Sequence, residues 1–586
     1  MPKTSQERHS TLWRLGHKLL SLLFNPWHLF IIAYCVIGCT LVIRHCYPGL
    51  RVMQQSQRQY WQRIPINSGR GIIQDSKGNA LVISEPLTSL AVDPSLLSEE
   101  DVHKLNTILP SNMAVKLTDA INRHSRFMWL KRKMQPDEAK KTDIAQLGIK
   151  AVKLEPDQGR RYTNNNLLSH VLGFCDVDNR GLAGIEQTWD TTLYSPPGMR
   201  TVIRKSGIQP AIMNLDEKAE QRRVTPIITL TIDGRIQYVV EKHLFKAAEK
   251  NGAKWAAAVC IDPWTGAVLA MASWPSFDPK NRTGSAENYL NNVIGRMYEP
   301  GSTFKPIYLG MALEKGWART NEIFHCPAKL KVADGFIKES YPRAMGDIDT
   351  AHLLIKSSNV GMAQIGMRAE RTQTYENLRA FGFGSQTNIE LPGVANGIVP
   401  YPEQWRGVVP ANIAIGQGLA VTPLQLVTAA GAIVNGGRLM SPFIVKEAMN
   451  SIGEIVYKGR PNVVREVLTP ETAKWIRQAM REVVVQGTGK RAATNITKLA
   501  GKTGTAQVPE KGKYSANRYV ASFIGFWPYE DPKYLMLLVI GEPTSGLYYG
   551  GELACPPFKD IVEEMAELEY YAPEDQTNQP VTARKK

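Results

Sequence analysis

One stretch limits the chain before any other. From Trp27 to Ile43 run 17 residues in which His28 alone can carry charge. That is at the short end of what crosses a bilayer as a helix, about 17–25 residues. Trp27 and Tyr47 suit its two interfaces. No small-residue cleavage site follows. The next residues are Arg44, His45 and Cys46, which reads as an uncleaved anchor and not as a signal peptide. Ahead of it, Thr11–Phe24 mixes six leucines and Trp13 with Arg14, His17 and Lys18. This reads as a short helix on the membrane surface, broken at Asn25-Pro26. The bulk of the 586 residues must fold on one side of that membrane. Charge does not say which side: Lys3, Arg8, Arg14 and Lys18 precede the span, and Arg44, Arg51, Arg58 and Arg63 follow it.

Hydrophobic residues make up 43% and charged residues 21%, enough apolar surface for a sizeable core. A disordered chain, a disulfide-stapled miniprotein and a polytopic membrane protein are excluded. The net charge of +16 admits nucleic acid, anionic lipid or cell-wall polymer as partner. The basic residues are spread and not clustered, and no nucleic-acid motif accompanies them, so no nucleic-acid partner is expected. Cys35, Cys39 and Cys46 lie in or beside the apolar run. Cys175, Cys260, Cys326 and Cys555 are scattered without metal spacing. They read as lone, mostly buried thiols, with a disulfide among the last four left open. No metal and no cofactor are expected.

After the anchor, residues 44–223 are polar and basic. Gly71–Gln74 and Ala80–Ile83 flank the turn Ser76-Lys77-Gly78-Asn79 as short strands. The charged stretch Arg123–Lys141 reads as a solvated helical lobe, and Lys205–Arg223 as a linker. From Val224 the texture is that of a compact α/β domain. Asp233 can cap a helix to about Lys250. Ala256–Ile261 and Ala267–Ala272 flank Asp262-Pro263-Trp264-Thr265-Gly266 as a strand pair, and Val520–Phe526 with Tyr534–Ile540 form a second. Pro557–Tyr570 reads as a final helix. Strands at both ends with helices between predict one antiparallel sheet flanked by helices. The expected division is a short segment 1–26, the anchor 27–43, an elongated mixed α/β domain 44–223, a second domain 224–571 and a disordered tail 572–586.

Three motifs stand in order in the second domain. In Ser302-Thr303-Phe304-Lys305, Ser and Lys three apart share a helix face. A desolvated Lys305 can lose its proton and then deprotonate Ser302. In Ser357-Ser358-Asn359, 55 residues on, Ser357 can relay a proton to a leaving amine, and Asn359 can hold a substrate amide and the lysine. In Lys502-Thr503-Gly504-Thr505, 145 further, Lys502 and Thr503 offer a cation and a hydroxyl to a carboxylate. Gly504 would let a substrate backbone pair along the strand edge, and the N–H groups of Ser302 and Thr505 can form an oxyanion hole. Each motif alone is common. Together, in this order, they form the penicillin-recognising serine acyltransferase set.

At these residues the chain resembles the class B penicillin-binding proteins, monofunctional peptidoglycan transpeptidases. Arg70-Gly71-Ile72-Ile73, Arg160-Arg161-Tyr162, Ser169–Gly173 and Gly181–Glu186 resemble the family's pedestal. Gly416-Gln417-Gly418, Gly487-Thr488-Gly489 and Tyr548–Gly551 resemble its catalytic domain. The Glu299-Pro300-Gly301-Ser302 form and Ser169–Gly173 are more similar to the cell-division branch than to the elongation branch. The resemblance implies catalytic Ser302, Lys305, Ser357, Asn359 and Lys502, and substrate-binding Thr503, Gly504 and Thr505. It implies a D,D-transpeptidase acting on stem peptides that end in D-Ala-D-Ala, with β-lactams as mimics of that substrate. Glu299 and Arg296 read as structural. A membrane glycosyltransferase and other cell-division proteins are the implied partners. Wall chemistry puts the N-terminus in the cytoplasm and the catalytic domain in the periplasm.

Rival readings part company on residues. A class D β-lactamase usually carries Ser-x-Val as second motif, unlike Ser357-Ser358-Asn359. A class A enzyme needs a deacylating Glu downstream of the nucleophile, whereas Glu287–Asn291 stands upstream. A β-lactam sensor is expected to carry a signalling domain before the span, where 26 residues stand. A non-catalytic scaffold would tolerate loss of Ser302 or Lys305, and both are present. A D,D-carboxypeptidase shares all three motifs, so the motifs leave it open.

Overall fold

The computed structural model describes residues 26–66, 69–195, 198–203, 224–333, 335–340, 343–510 and 513–570. The expected surface helix Thr11–Phe24, the linker Lys205–Arg223 and the tail 572–586 lie outside them. Two compact units are present. The first holds helix α1, Pro26–Tyr60, and a two-stranded antiparallel ribbon in which Trp61 faces Ile203 and Ile66 faces Gly198. Pro26–Arg44 is long and apolar enough to cross a membrane, with mean hydropathy 2.0. The helix does not stop where the apolar run stops; its backbone continues to Tyr60.

The second unit is built on two sheets. Its elements are β1 (Ile72–Gln74), β2 (Ala80–Val92), β3 (Met128–Met134), β4 (Val152–Tyr162), β5 (Ile227–Leu230) and α2 (Gly234–Lys250). Then come β6 (Trp255–Ile261), β7 (Val268–Trp274), α3 (Lys305–Glu314), α4 (Asn359–Arg368), β8 (Val445–Met449) and β9 (Ile455–Lys458). The last are β10 (Ala500–Glu510), β11 (Lys513–Trp527), β12 (Tyr534–Gly541) and α5 (Cys555–Tyr570).

The first sheet has strand order β9-β8-β5-β1-β2-β3, and β4 pairs along β2. The 13-residue β2 is long enough for β1 at its start and β3 at its end on one edge, with β4 along the other. β5 runs parallel to β1, with Ile72 opposite Ile227, and antiparallel to β8. Strands from before and after residue 223 therefore share one hydrogen-bonded sheet. β3 corrects the helical lobe expected at Arg123–Lys141. Met128, Leu130 and Met134 alternate, and β2 takes them as a strand whose Leu130 and Met134 are buried. Period-two burial prevails there over the charge content.

Behind β2, residues named for the family resemblance converge. Arg70 donates from Nε to Glu186 and at 2.6 Å to Asp190, and Arg160 donates from Nε to Glu186 Oε1 at 2.7 Å. Arg160 also donates to the Gly71 carbonyl at 2.7 Å. Glu186 is wholly buried, so two guanidinium groups must compensate its charge.

The second sheet is antiparallel throughout, in the order β10-β11-β12-β6-β7. β12 against β6, with Leu535 opposite Ile261, ties the end of the domain to its beginning, as the strand signals at both ends predict. Alternation along β6 divides the core. Ala256, Ala258 and Cys260 face Val240 and Leu244 of α2 and Phe558 and Ile561 of α5. Ala257, Val259 and Ile261 join the larger cluster with Phe304, Ile307 and Leu426. Asp233 caps α2 through the Arg235 N–H, as expected. The six described cysteines are all free thiols, and Cys260, Cys326 and Cys555 are buried.

Candidate active site

Ser302 lies in a short 3-10 turn, Gly301–Phe304, that feeds α3. Residues three apart eclipse in such a turn, which stacks Ser302 beside Lys305. The Lys305 N–H donates to the Ser302 carbonyl, and Pro306 sits at the start of α3, where a missing N–H costs nothing. Two glycines let the turn close on its neighbours. At Gly416, φ is +80°, and a Cβ would stand 2.1 Å from the Gly301 carbonyl oxygen. At Gly504, a Cβ would meet Ser522 Oγ at 2.3 Å and Thr303 Cγ2 at 2.8 Å. The missing side chain of Gly504 thus makes room for the nucleophile turn. This revises the expectation that it exists for a substrate backbone.

Lys305 is fully buried. Its ammonium donates to Asn359 Oδ1 at 2.7 Å and to the Ser357 carbonyl at 2.8 Å, and lies 3.4 Å from Ser357 Oγ. Burial lowers its pKa to about 7, against the opposing pull of the Glu339 carboxylate. Lys502 is fully buried as well, and donates to Ser357 Oγ at 2.8 Å and to the Thr503 carbonyl at 3.0 Å. Burial first, and then the charge of Lys305, push its pKa well below the ordinary lysine value. The Ser357 hydroxyl therefore stands between two amines. Its backbone is left-handed, with φ of +60°, an uncommon and strained conformation for a residue with a side chain.

Ser302, Ser357, Thr503 and Thr505 line one cavity of about 240 Å³, with Thr488, Lys356, Lys490, Arg491 and Tyr549 around them. Thr503 Oγ1 lies 2.6 Å from Thr488 Oγ1, and Thr505 Oγ1 accepts from the Gly550 N–H at 3.0 Å. The structure thus gathers all eight residues singled out in the sequence. One role shifts. Lys502 lies beneath Ser357, not on the cavity wall, so its direct partner is the relay hydroxyl and not an incoming carboxylate. Glu299 accepts from the Gly418 N–H at 3.0 Å and fastens the Gly416–Gly418 segment to the nucleophile turn. Burial raises its pKa to about 7.

One residue was missed. Glu339, buried behind the second motif, accepts from the Asn359 N–H at 2.7 Å and the Ser358 hydroxyl at 2.6 Å. It is a lone acid on an irregular connection, with no local signal to mark it. Among the described residues, no group of His, Cys, Asp and Glu is placed to hold a metal ion.

Comparison with known proteins agrees with this geometry. Residues 256–563 match the penicillin-binding protein transpeptidase domain, and residues 65–221 match the penicillin-binding protein dimerisation domain. A probable peptidoglycan D,D-transpeptidase, PenA of Neisseria gonorrhoeae, is 31% identical over 503 residues, 84% of this chain and 83% of its own. The peptidoglycan D,D-transpeptidase FtsI of Escherichia coli is 30% identical over 562 residues, 92% of this chain and 91% of its own. The crystal structure of penicillin-binding protein 3 from Mycobacterium tuberculosis complexed with ampicillin superposes with a TM-score of 0.67 at 26% identity, covering 88% of this chain and 99% of that one. With a dimerisation domain joined to a transpeptidase domain that carries all three motifs, the chain belongs to the class B penicillin-binding proteins.

Proposed function

We propose that the chain cross-links peptidoglycan stem peptides as a serine D,D-transpeptidase during septal wall synthesis. The observation that carries this is the Ser357 hydroxyl held between the two buried amines of Lys305 and Lys502, on the wall of the cavity that Ser302 lines. Neutral Lys305 takes the Ser302 proton as Oγ attacks the carbonyl between the terminal D-Ala residues. The carbon–nitrogen bond breaks, and D-Ala leaves with a proton relayed through Ser357. An amine of a neighbouring stem then attacks the ester, an amide forms and Ser302 is freed. Buried, the two amines cost no reorganisation as charge moves between them. Thr503 and Thr505, with hydroxyls at the cavity, are the groups for the substrate's terminal carboxylate. β-Lactams acylate Ser302 on this reading, and the ampicillin and aztreonam complexes of the mycobacterial neighbour support it.

α1 is the anchor in the cytoplasmic membrane, with the N-terminus in the cytoplasm and the catalytic domain outside. A membrane glycosyltransferase supplies the glycan strands, alongside other division proteins. The anchored pedestal form favours transfer to an amine over the hydrolytic carboxypeptidase. Incubating the full-length chain in detergent with a stem pentapeptide and an acceptor amine tests this choice. Cross-linked product together with free D-Ala is expected. D-Ala released with no cross-linked product would refute transpeptidation.

A further inference from the structure

The buried acid behind the second motif has work that the mechanism above does not give it. Two short antiparallel strands, Lys329–Val332 and Gly335–Lys338, project between the first and second motifs, and Glu339 follows directly. Its own N–H is tied to the Ala328 carbonyl at 3.1 Å. The next residue, Ser340, reaches the wall of the catalytic cavity. The carboxylate is turned inward. One oxygen accepts from the Ser358 hydroxyl at 2.6 Å and the Val360 N–H at 3.3 Å, and the other from the Asn359 N–H at 2.7 Å.

These donors are the first turn of α4. Ser358 caps that helix by accepting from the Gly361 N–H at 3.0 Å. A carboxylate there satisfies orphan N–H groups and meets the positive end of the ten-residue helix. The same turn presents Asn359 Oδ1 to the Lys305 ammonium at 2.7 Å. A chain of contacts therefore runs from Glu339 through Asn359 to Lys305. The charged groups facing Lys305 are Lys502 on β10 and Glu339 on the hairpin; Ser357 and Asn359 face it as neutral groups. Of the two charges, only that of Glu339 favours a protonated Lys305.

We propose that Glu339 is a positioning residue for acyl transfer: it fixes the Ser358-Asn359 turn and supplies the negative charge against which the buried Lys305 amine works. This rests on Lys305 as the base of the proposed reaction. Two jobs are joined in one group. Geometry holds Asn359 on the amine. Charge keeps the amine basic enough to take a proton despite full burial and a second amine beside it.

The test is the rate constant for acylation by a fluorescent penicillin, measured from pH 5.5 to 9 on the full-length chain in detergent. Wild type, Glu339→Gln, Ser358→Ala and Lys305→Ala are compared, and labelling at long times counts the folded sites. Glu339→Gln keeps the shape and removes the charge. Its acid limb should move to lower pH, and its plateau should fall about tenfold because the base is weaker. Ser358→Ala removes one contact and keeps the charge, so its limb should stay at the wild-type pH. A Glu339→Gln limb that coincides with wild type, whatever its plateau, would overturn the proposal. Failure of the underlying reading looks different: a Lys305→Ala chain that acylates at the wild-type rate removes the base itself.

Discussion

Lys502 Nζ donates to Ser357 Oγ at 2.8 Å from a position that solvent does not reach. The third motif thus acts on the second from below, and the lysine faces the proton path and not the substrate. Removing it should leave Ser302 and Lys305 in place and slow departure of the leaving amine. For Lys502→Ala, acylation by a β-lactam should fall by about 10²–10⁴, the range for loss of a positioned proton-transfer group. Stopped-flow acylation rates measure it, and a loss below about threefold would contradict the relay.

Acylation should depend on pH through Lys305. Its pKa, lowered to about 7 by burial, lies within the working range. The neutral amine is the active form, so the rate should rise as pH rises through about 7 and level above it. A rate that rises only near pH 10 would mean that the amine keeps its ordinary value.

Ser357 can be tested through its backbone. With φ at +60°, alanine there keeps the strain, while glycine relieves it. Ser357→Gly should be more stable than Ser357→Ala by about 1 kcal/mol. Both lack the hydroxyl and should acylate slowly. Thermal midpoints decide the first point and acylation rates the second.

Gly504→Ala places a methyl against Ser522 Oγ, Thr303 Cγ2 and the Pro300 carbonyl. Overpacking of this kind costs about 1–3 kcal/mol. Because Thr303 follows the nucleophile directly, the clash should also displace Ser302 and cut acylation. Unchanged acylation and stability would show that the turn does not rest on β10.

In the pedestal, Glu186→Ala leaves Arg70 and Arg160 buried without their shared anion. The expected cost is about 3–5 kcal/mol. Denaturant unfolding measures it. Chains that remain folded should still acylate at the wild-type rate, since the cluster lies in a different sheet from β10.

Much of this was legible from residue pattern. The anchor, the strand pairs at both ends of the catalytic domain and the three motifs carry local signals: apolar length, turn chemistry and fixed spacing. Arg123–Lys141 misled because its charges outnumber the alternating Met128, Leu130 and Met134 that β2 buries. The sheet that joins β5 and β8 to the pedestal was not legible, since its pairings span more than 200 residues between Ile228 and Ala448. Lys502 was placed on the substrate because a lysine in a motif suggests a free cation; that burial turns it toward Ser357 is a tertiary fact. Glu339 had no periodicity, motif or cap to announce it before α4 was folded against it.

The central claim is that Ser302 is the nucleophile. Mass spectrometry of the full-length chain after incubation with a penicillin, followed by peptide mapping, tests it most directly. The account expects one adduct per chain, on Ser302, absent from Ser302→Ala at unchanged thermal midpoint. An adduct on another residue, or none on folded wild-type protein, would contradict it.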